Sequence, residues 1–378
     1  MPALPSLTDL DPAPRILLGP GPSMIPPRVL RALATPATGH LDPDFLAILE
    51  DVQRLLQFVF QTDNELTLAV PGTGTAGMEA VLSNLIEPGD RVLSCVAGFF
   101  GERLALMAQR HGATLDRLDR EWGEVFAPEA IAQAVQRNAY KLVTLVHAET
   151  STGAWQPEIR AIADAVHQSG AMLVLDVVTS LGGLPVEIDA WGVDAAYSAS
   201  QKCLSAPSGL APVTLGLRAR QAIAARRTLP AVFYLDLEAL SRYWGEPHAY
   251  HHTAPIQNFY GLREALRLVH EEGLAARFDR HQRNAHLLWD GLEALGLQML
   301  MPEPTRLPTL TTPCLPSGAD DATVRRRLRE EFNLEIAGGF GALAGKVWRI
   351  GLMGHSSRPE NVILLLGALR SVLPLPGS

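Results

Sequence analysis

A few short segments hold the residues of this chain that could do chemistry. Lys202 sits in YSASQKCLSAPSG, among Ser, Gln and Gly and outside any charged helix face. A lysine near a strand end with apolar flanks is a candidate for a lowered pKa and for Schiff-base chemistry; standing alone, it reads as an ordinary exposed lysine. Asp176 closes the apolar run AMLVLDVV. A carboxylate at the end of a buried strand is costly unless it meets a cation or several donors, so it either caps the next segment or faces a protonated nitrogen. Upstream, PGTGTAGMEAV follows another apolar run. A Gly-Thr turn that opens a helix offers free N–H groups, the hydroxyls of Thr73 and Thr75, and the positive end of a helix dipole. That suits a phosphate, and it also serves as a plain helix cap. Arg349, in VWRIGLMG, is bracketed by Trp348 and Ile350. Its planar fork suits a carboxylate held bidentately, or a structural ion pair between domains.

For these groups to meet, the chain must bring them to one edge of a sheet. Short apolar runs at Leu66–Val70, Arg91–Val96, Thr114–Leu118, Leu142–His147, Met172–Val177, Ala195–Ser198 and Pro212–Gly216 read as strands. Helix-period segments alternate with them at Thr75–Leu85, Glu102–His111, Pro128–Arg137 and Glu158–Gln168. This alternation predicts an α/β fold with a mostly parallel sheet covered on both faces. Ligands of such sheets sit at the carboxyl ends of the strands, where the turn at Thr73, then Asp176, then Lys202 would all lie. Past Gly273 the texture changes. A long helix over Ala275–Leu295 leads to an extended Pro/Thr-rich stretch, a helix over Ala322–Phe332, a Gly-rich turn, a strand over Val347–Leu352 and a last helix. The expected organisation is a Pro-rich arm over residues 1–18, a large domain over 19–272 and a smaller α+β domain over 273–378.

Composition excludes several partners. A net charge of −8 leaves no basic face for nucleic acid or an anionic membrane. The basic run Arg325 to Arg329 runs straight into Glu330 and Glu331, as on a solvated helix face. Three cysteines without a CxxC pair fit a reducing compartment and argue against structural zinc. With no leader-like N-terminus and no apolar run of about 18 residues, the expected location is the cytoplasm. His248, His251 and His252 crowd the segment HAYHHT, but no matching ligand set accompanies them, and no metal is expected.

Taken in order, the motifs from LLGPGPS (Leu17–Ser23) to WRIGLMG (Trp348–Gly354) resemble the class V, fold-type I pyridoxal-phosphate aminotransferases over nearly the whole chain. Within that class the likeness is to the alanine–glyoxylate and serine–glyoxylate enzymes. The resemblance implies that Lys202 forms a Schiff base with pyridoxal 5'-phosphate and moves the substrate proton, with Asp176 paired to the ring nitrogen. It assigns the phosphate to Thr73, Gly74, Thr75 and Gln201. Phe100, in AGFFGER, takes the position of the stacking aromatic, Val178 covers the other face, and Thr150, in HAETSTG, bonds near the phenolic oxygen. Tyr250 and Thr253 resemble residues that reach the phosphate of a neighbouring subunit, which implies a homodimer with shared sites. Arg349 takes the substrate carboxylate, and Gly21, in the GPGPS loop, lines the pocket near small substrates.

The implied reaction moves an amino group from alanine or serine to glyoxylate. Ureidoglycine is the alternative donor, although relatives that use it tend to carry Asn where this chain has Tyr250. A cysteine desulfurase would need a reactive cysteine on a mobile loop, and Cys314 in TTPCLPSG is the candidate. A nicotinamide-dependent oxidoreductase would need GxGxxG, which the chain's Gly-Thr turn lacks. That reading, like a non-catalytic binding protein, also leaves Lys202 and Arg349 without roles.

Overall fold

A computed structural model describes residues 9–373. Its centre is a seven-stranded sheet. From edge to edge the strands are Leu66–Pro71, Leu210–Leu215, Ala195–Tyr197, Met172–Asp176, Leu142–Val146, Arg91–Val96 and Thr114–Asp119. All run parallel except Leu210–Leu215, which is antiparallel to both neighbours. Every residue of Leu142–Val146 and Met172–Asp176 is buried, as expected for central strands covered on both faces. The strands agree with the sequence expectation to within a residue or two at most ends.

Two helices the sequence reading passed over close one face. Pro43–Phe60 starts with Asp42, whose carboxylate accepts the Asp44 N–H, and Pro43 occupies the first turn where no N–H is needed. It buries Phe45, Leu49, Val52, Leu56 and Val59 at helical spacing and packs against Ile256–Glu272.

One continuous core runs from Val29 to Val269, and a second gathers Leu288, Leu292, Val324, Leu328, Trp348, Ile350 and Leu365. The second core backs a three-stranded antiparallel sheet in the order Leu310–Thr311, Trp348–Gly351, Ala337–Gly338. The N-terminal segment differs from a surface arm. Ile16–Leu17 pairs in parallel with Leu334–Glu335, and Leu18, fully buried, belongs to the second core. An apolar Ile-Leu-Leu run after the prolines supplies the burial that a solvated arm would lack. Residues 1–8 of the expected arm lie outside the described residues.

The two parts are laced together next to the chemistry. Arg277, near the start of the long helix Leu274–Ala294, is 5% exposed. It donates to the carbonyls of Gly182 (2.7 Å) and Cys203 (2.6 Å) and pairs with Glu272. Glu272 also holds Arg280, which donates to the Ser357 carbonyl. The loop after Asp176 and the loop after Lys202 are thus fixed by the same guanidinium.

Candidate active site

The carboxyl edge of the sheet carries a cavity of about 180 Å³, lined by Thr73, Gly74, Thr75, Phe100, Arg103, Asp176, Val178, Tyr197, Gln201 and Lys202, among others. Eight of these ten residues were singled out from sequence; Arg103 and Tyr197 were not.

At one end the turn after Leu66–Pro71 opens the helix Gly74–Leu85. The N–H groups of Gly74 and Thr75 lie in its first turn, where no intrahelical acceptor exists, and among the described residues they donate to no other group. Thr73 stands at the cap position without spending its hydroxyl on the helix. A Cβ on Gly74 would lie 2.8 Å from the Ala199 Cβ, so only glycine lets the turn sit this close to the Lys202 loop. Arg103 adds a cation, donating to Thr75 Oγ1 at 3.2 Å. It stands three residues beyond Phe100 in the helix Phe99–Arg110, on the same face, and its guanidinium lies 5.1 Å from that ring. The motif FFGER carried that i, i+3 signal.

In the middle, Asp176 is 2% exposed. Its carboxylate accepts the Val178 N–H (2.9 Å) and the Tyr197 hydroxyl (2.6 Å). Burial nevertheless pushes its pKa up to about 6. Tyr197 reaches it because the two residues are register partners on adjacent parallel strands, a relation that sequence spacing does not display. Lys202 faces it with an amine that burial lowers to about 8. Its Nζ donates to the Pro20 carbonyl, so the GPGPS loop closes over the lysine. A Cβ on Gly21, whose φ is +104°, would lie 2.6 Å from Lys202 Cδ.

Arg349, 8% exposed, does not line the cavity but lies close enough for its charge to act on Lys202. Its Nε donates to the Gly338 carbonyl at 2.9 Å, leaving the terminal nitrogens unspent. Burial lowers its pKa to about 10. Glu149, 6% exposed, is a carboxylate the sequence reading did not single out. It accepts the N–H groups of Phe100, Gly101 and Ser151 and the Ser151 hydroxyl, capping from outside the helix that presents Phe100. Burial raises its pKa. A lone acid within the otherwise uncharged HAETSTG was the available signal.

Other expected residues lie elsewhere. The Thr150 hydroxyl is buried against that of Thr179 at 2.5 Å and does not line the cavity. Tyr250 is 63% exposed and Thr253 is exposed, and neither lines this cavity. His251 bonds His252 and stacks on Phe233, and no group of three or more His, Cys, Asp or Glu placed to hold a metal occurs among the described residues. Cys314 is not on a free loop. Its N–H donates to the Gln298 carbonyl, it bridges Val347, and burial raises its thiol pKa.

The cavity fits a phosphorylated cation of the pyridoxal type. Among the described residues the Gly74 and Thr75 N–H groups and the Thr73 hydroxyl are unspent donors that suit a phosphate, and the buried Asp176 carboxylate in the middle suits a positive nitrogen.

Fold and pocket together define an enzyme of the fold-type I, pyridoxal-phosphate-dependent class. The Aminotransferase class-V family matches residues 15–353, and the chain belongs to that family of transaminases. The (S)-ureidoglycine–glyoxylate transaminase of Bacillus subtilis is 41% identical over 377 residues, covering 95% of this chain and 90% of that protein. The alanine–glyoxylate aminotransferase of Callithrix jacchus is 39% identical, covering 95% and 87%. The crystal structure of the alanine–glyoxylate aminotransferase of a Nostoc species superposes with a TM-score of 0.96 at 51% identity, covering 98% of each chain. No helix among the described residues is long and apolar enough to cross a membrane.

Proposed function

We propose that this aminotransferase takes its amino group from alanine or serine and delivers it to glyoxylate. The observation that carries the reading is the closeness of the Pro20–Gly21 loop to Lys202, a crowding that favours a small substrate side chain. Pyridoxal phosphate, when bound, supplies an electron sink at the substrate carbon. Thr73, Gly74, Thr75 and Gln201 hold its phosphate, and Phe100 and Val178 its faces. Asp176 keeps the ring nitrogen protonated. Lys202 anchors the cofactor and then, as a free amine, moves the proton on the substrate Cα. A lysine whose amine titrates near 8 accepts and returns protons close to neutral pH. Arg349 holds the substrate carboxylate with its two unspent nitrogens, and closure of the small domain excludes water.

The test is a half-reaction panel. The cofactor spectrum of the holoenzyme is followed on addition of alanine, serine and ureidoglycine, then on return with glyoxylate, pyruvate and 2-oxoglutarate. Spectral turnover with alanine or serine and restoration by glyoxylate are expected; turnover with none of the small donors defeats the reading. Ureidoglycine as donor is the second reading, supported to the same degree by the name of the Bacillus relative. Tyr250 in place of Asn tilts the choice to alanine or serine.

The working unit in this reading is a homodimer in which Tyr250 and Thr253 reach the phosphate in the other subunit. Exposed Leu229 (87%), Phe233 (75%) and Tyr250 support it, because apolar side chains so bare and so near in sequence favour a covering partner.

A further inference from the structure

Phe340 lies in GGFGALAG, the turn between the strands Ala337–Gly338 and Trp348–Gly351. The turn is tightly built. A Cβ on Gly339 would lie 2.1 Å from the Leu343 carbonyl oxygen, and Gly341 adopts φ +57° beside the Trp122 ring. Two glycines therefore fix the direction in which the one large side chain between them leaves the backbone. That side chain reaches both parts of the molecule. Its ring centroid lies 4.2 Å from the Arg349 guanidinium carbon, a close cation–π contact, and 4.6 Å edge-to-face from Phe99. Phe100 is 6.4 Å away in the same geometry.

Among the described residues the Arg349 side chain makes one hydrogen bond, through Nε to the Gly338 carbonyl. One bond leaves a guanidinium free to turn about it; a ring against one face removes that freedom and leaves the terminal N–H groups as the open edge. Glu149, the carboxylate whose charge acts on Arg349, forms no hydrogen bond with it. The remaining restraint is therefore aromatic.

We propose that Phe340 is a positioning residue for substrate binding. It holds the Arg349 fork in the orientation that receives a carboxylate and, through Phe99, registers the small domain against the helix that presents Phe100. The inference rests on the reading that Arg349 takes the substrate carboxylate.

The test uses the holoenzyme and three variants, Phe340→Leu, Phe340→Tyr and Arg349→Lys. Two quantities are read: KM and kcat for alanine with glyoxylate, and the dissociation constant of propionate, an unreactive carboxylate, from the change it causes in the cofactor spectrum. Leucine keeps bulk and loses the π face. Phe340→Leu is expected to raise both KM values and the propionate constant about ten-fold, the size of a partly desolvated cation–π contact, with kcat changed by less than about three-fold. Phe340→Tyr, which keeps the ring face, should restore wild-type values, and cofactor affinity and melting temperature should stay unchanged in both. Phe340→Leu with wild-type KM and propionate binding overturns the inference while a large Arg349→Lys effect leaves the carboxylate reading standing. Phe340→Leu that loses cofactor and melting temperature in step with substrate assigns Phe340 to packing and also overturns it. If Arg349→Lys leaves KM and propionate binding unchanged, the carboxylate reading falls and the inference with it.

Discussion

Replacing Asp176 by Asn should affect the cofactor-free and cofactor-loaded protein in opposite directions. In the cofactor-free chain the Asp176 carboxylate is buried with two donors and no cation in contact, and its pKa rises from 3.8 to about 6. The folded state therefore holds a proton that the unfolded state releases from pH 3.8 upward. Stability from this group falls as pH rises from 3.8 to 6 and stays reduced above it, by about 3 kcal/mol. Asn carries no charge and avoids that cost, but its amide nitrogen can only donate to the Tyr197 oxygen, which leaves the buried Tyr197 proton without its acceptor at about 1–2 kcal/mol. The cofactor-free Asp176→Asn protein should therefore melt at the wild-type temperature or a few degrees above it at pH 8. With cofactor the sign reverses. A pyridinium nitrogen facing the carboxylate forms a buried ion pair, and removing one partner of such a pair costs about 3–5 kcal/mol. Cofactor affinity should fall about 10²–10⁴-fold, and the thermal stabilisation by saturating cofactor should shrink accordingly. Melting curves of both proteins, with and without pyridoxal phosphate at pH 5 and 8, measure all four states. A cofactor-free variant that melts well below wild type, together with an undiminished cofactor shift, would refute the assignment of Asp176 to the ring nitrogen.

Tyr197→Phe removes a hydroxyl donor 2.6 Å from the Asp176 carboxylate. Because that donor favours the ionised form, its loss raises the Asp176 pKa by about one to two units. The pH below which cofactor stops stabilising the protein should move up from about 6 by the same amount; an unmoved limit would show that the hydroxyl is not coupled to the site. In cofactor-free protein the Lys202 amine becomes neutral, and hence nucleophilic, as pH rises through about 8 in place of the usual 10.5. The rate of cofactor loading, followed by absorbance, should therefore climb through pH 8 and level off above it, whereas a climb that continues past pH 10 contradicts a desolvated lysine. Gly21→Ala places a Cβ 2.6 Å from Lys202 Cδ at φ +104° and should cost about 1–3 kcal/mol in thermal stability while slowing cofactor loading. Unchanged loading would mean that the GPGPS loop does not bear on the lysine.

How much of this was legible in the sequence depended on how local each signal was. The strands Leu142–Val146 and Met172–Asp176 announced themselves as apolar runs, because central parallel strands are buried on both faces. The Gly-Thr turn, Asp176, Lys202 and Arg349 were visible because each breaks its local pattern. Tyr197 was hidden for the opposite reason. An aromatic residue in a strand fits the pattern, and only the register with Asp176 gives its hydroxyl a task. Helix Pro43–Phe60 had the right periodicity and went unread because it precedes the first strand and carries no chemistry. The placement of Leu18 in the second core required a contact spanning over three hundred residues, which no window reports.

Charge explains why these scattered groups form one site. Lys202 and Arg103 bring two cations to the cavity and Asp176 a buried carboxylate, with the Arg349 cation and the buried Glu149 carboxylate close enough for their charges to act on them. Among the described residues Lys202, Arg103 and Arg349 donate to Pro20, Thr75 and Gly338 and to neither carboxylate. In water such groups would pair at little gain. Here burial lowers the pKa values of Lys202 and Arg349 and raises those of Asp176 and Glu149, so the charged form of each group is disfavoured. In the proposed reading, a ligand that carries anions at both ends and a cation in the middle would offset those costs. A phosphate at Gly74 and Thr75 beside Arg103, a ring nitrogen at Asp176 and a carboxylate at Arg349 meet that description together, and no one of them does so alone. The cofactor accounts for the first two charges. In the proposed reading the third arrives with the substrate, so Arg349 and the Phe340 ring packed on it act on the substrate and not on the cofactor.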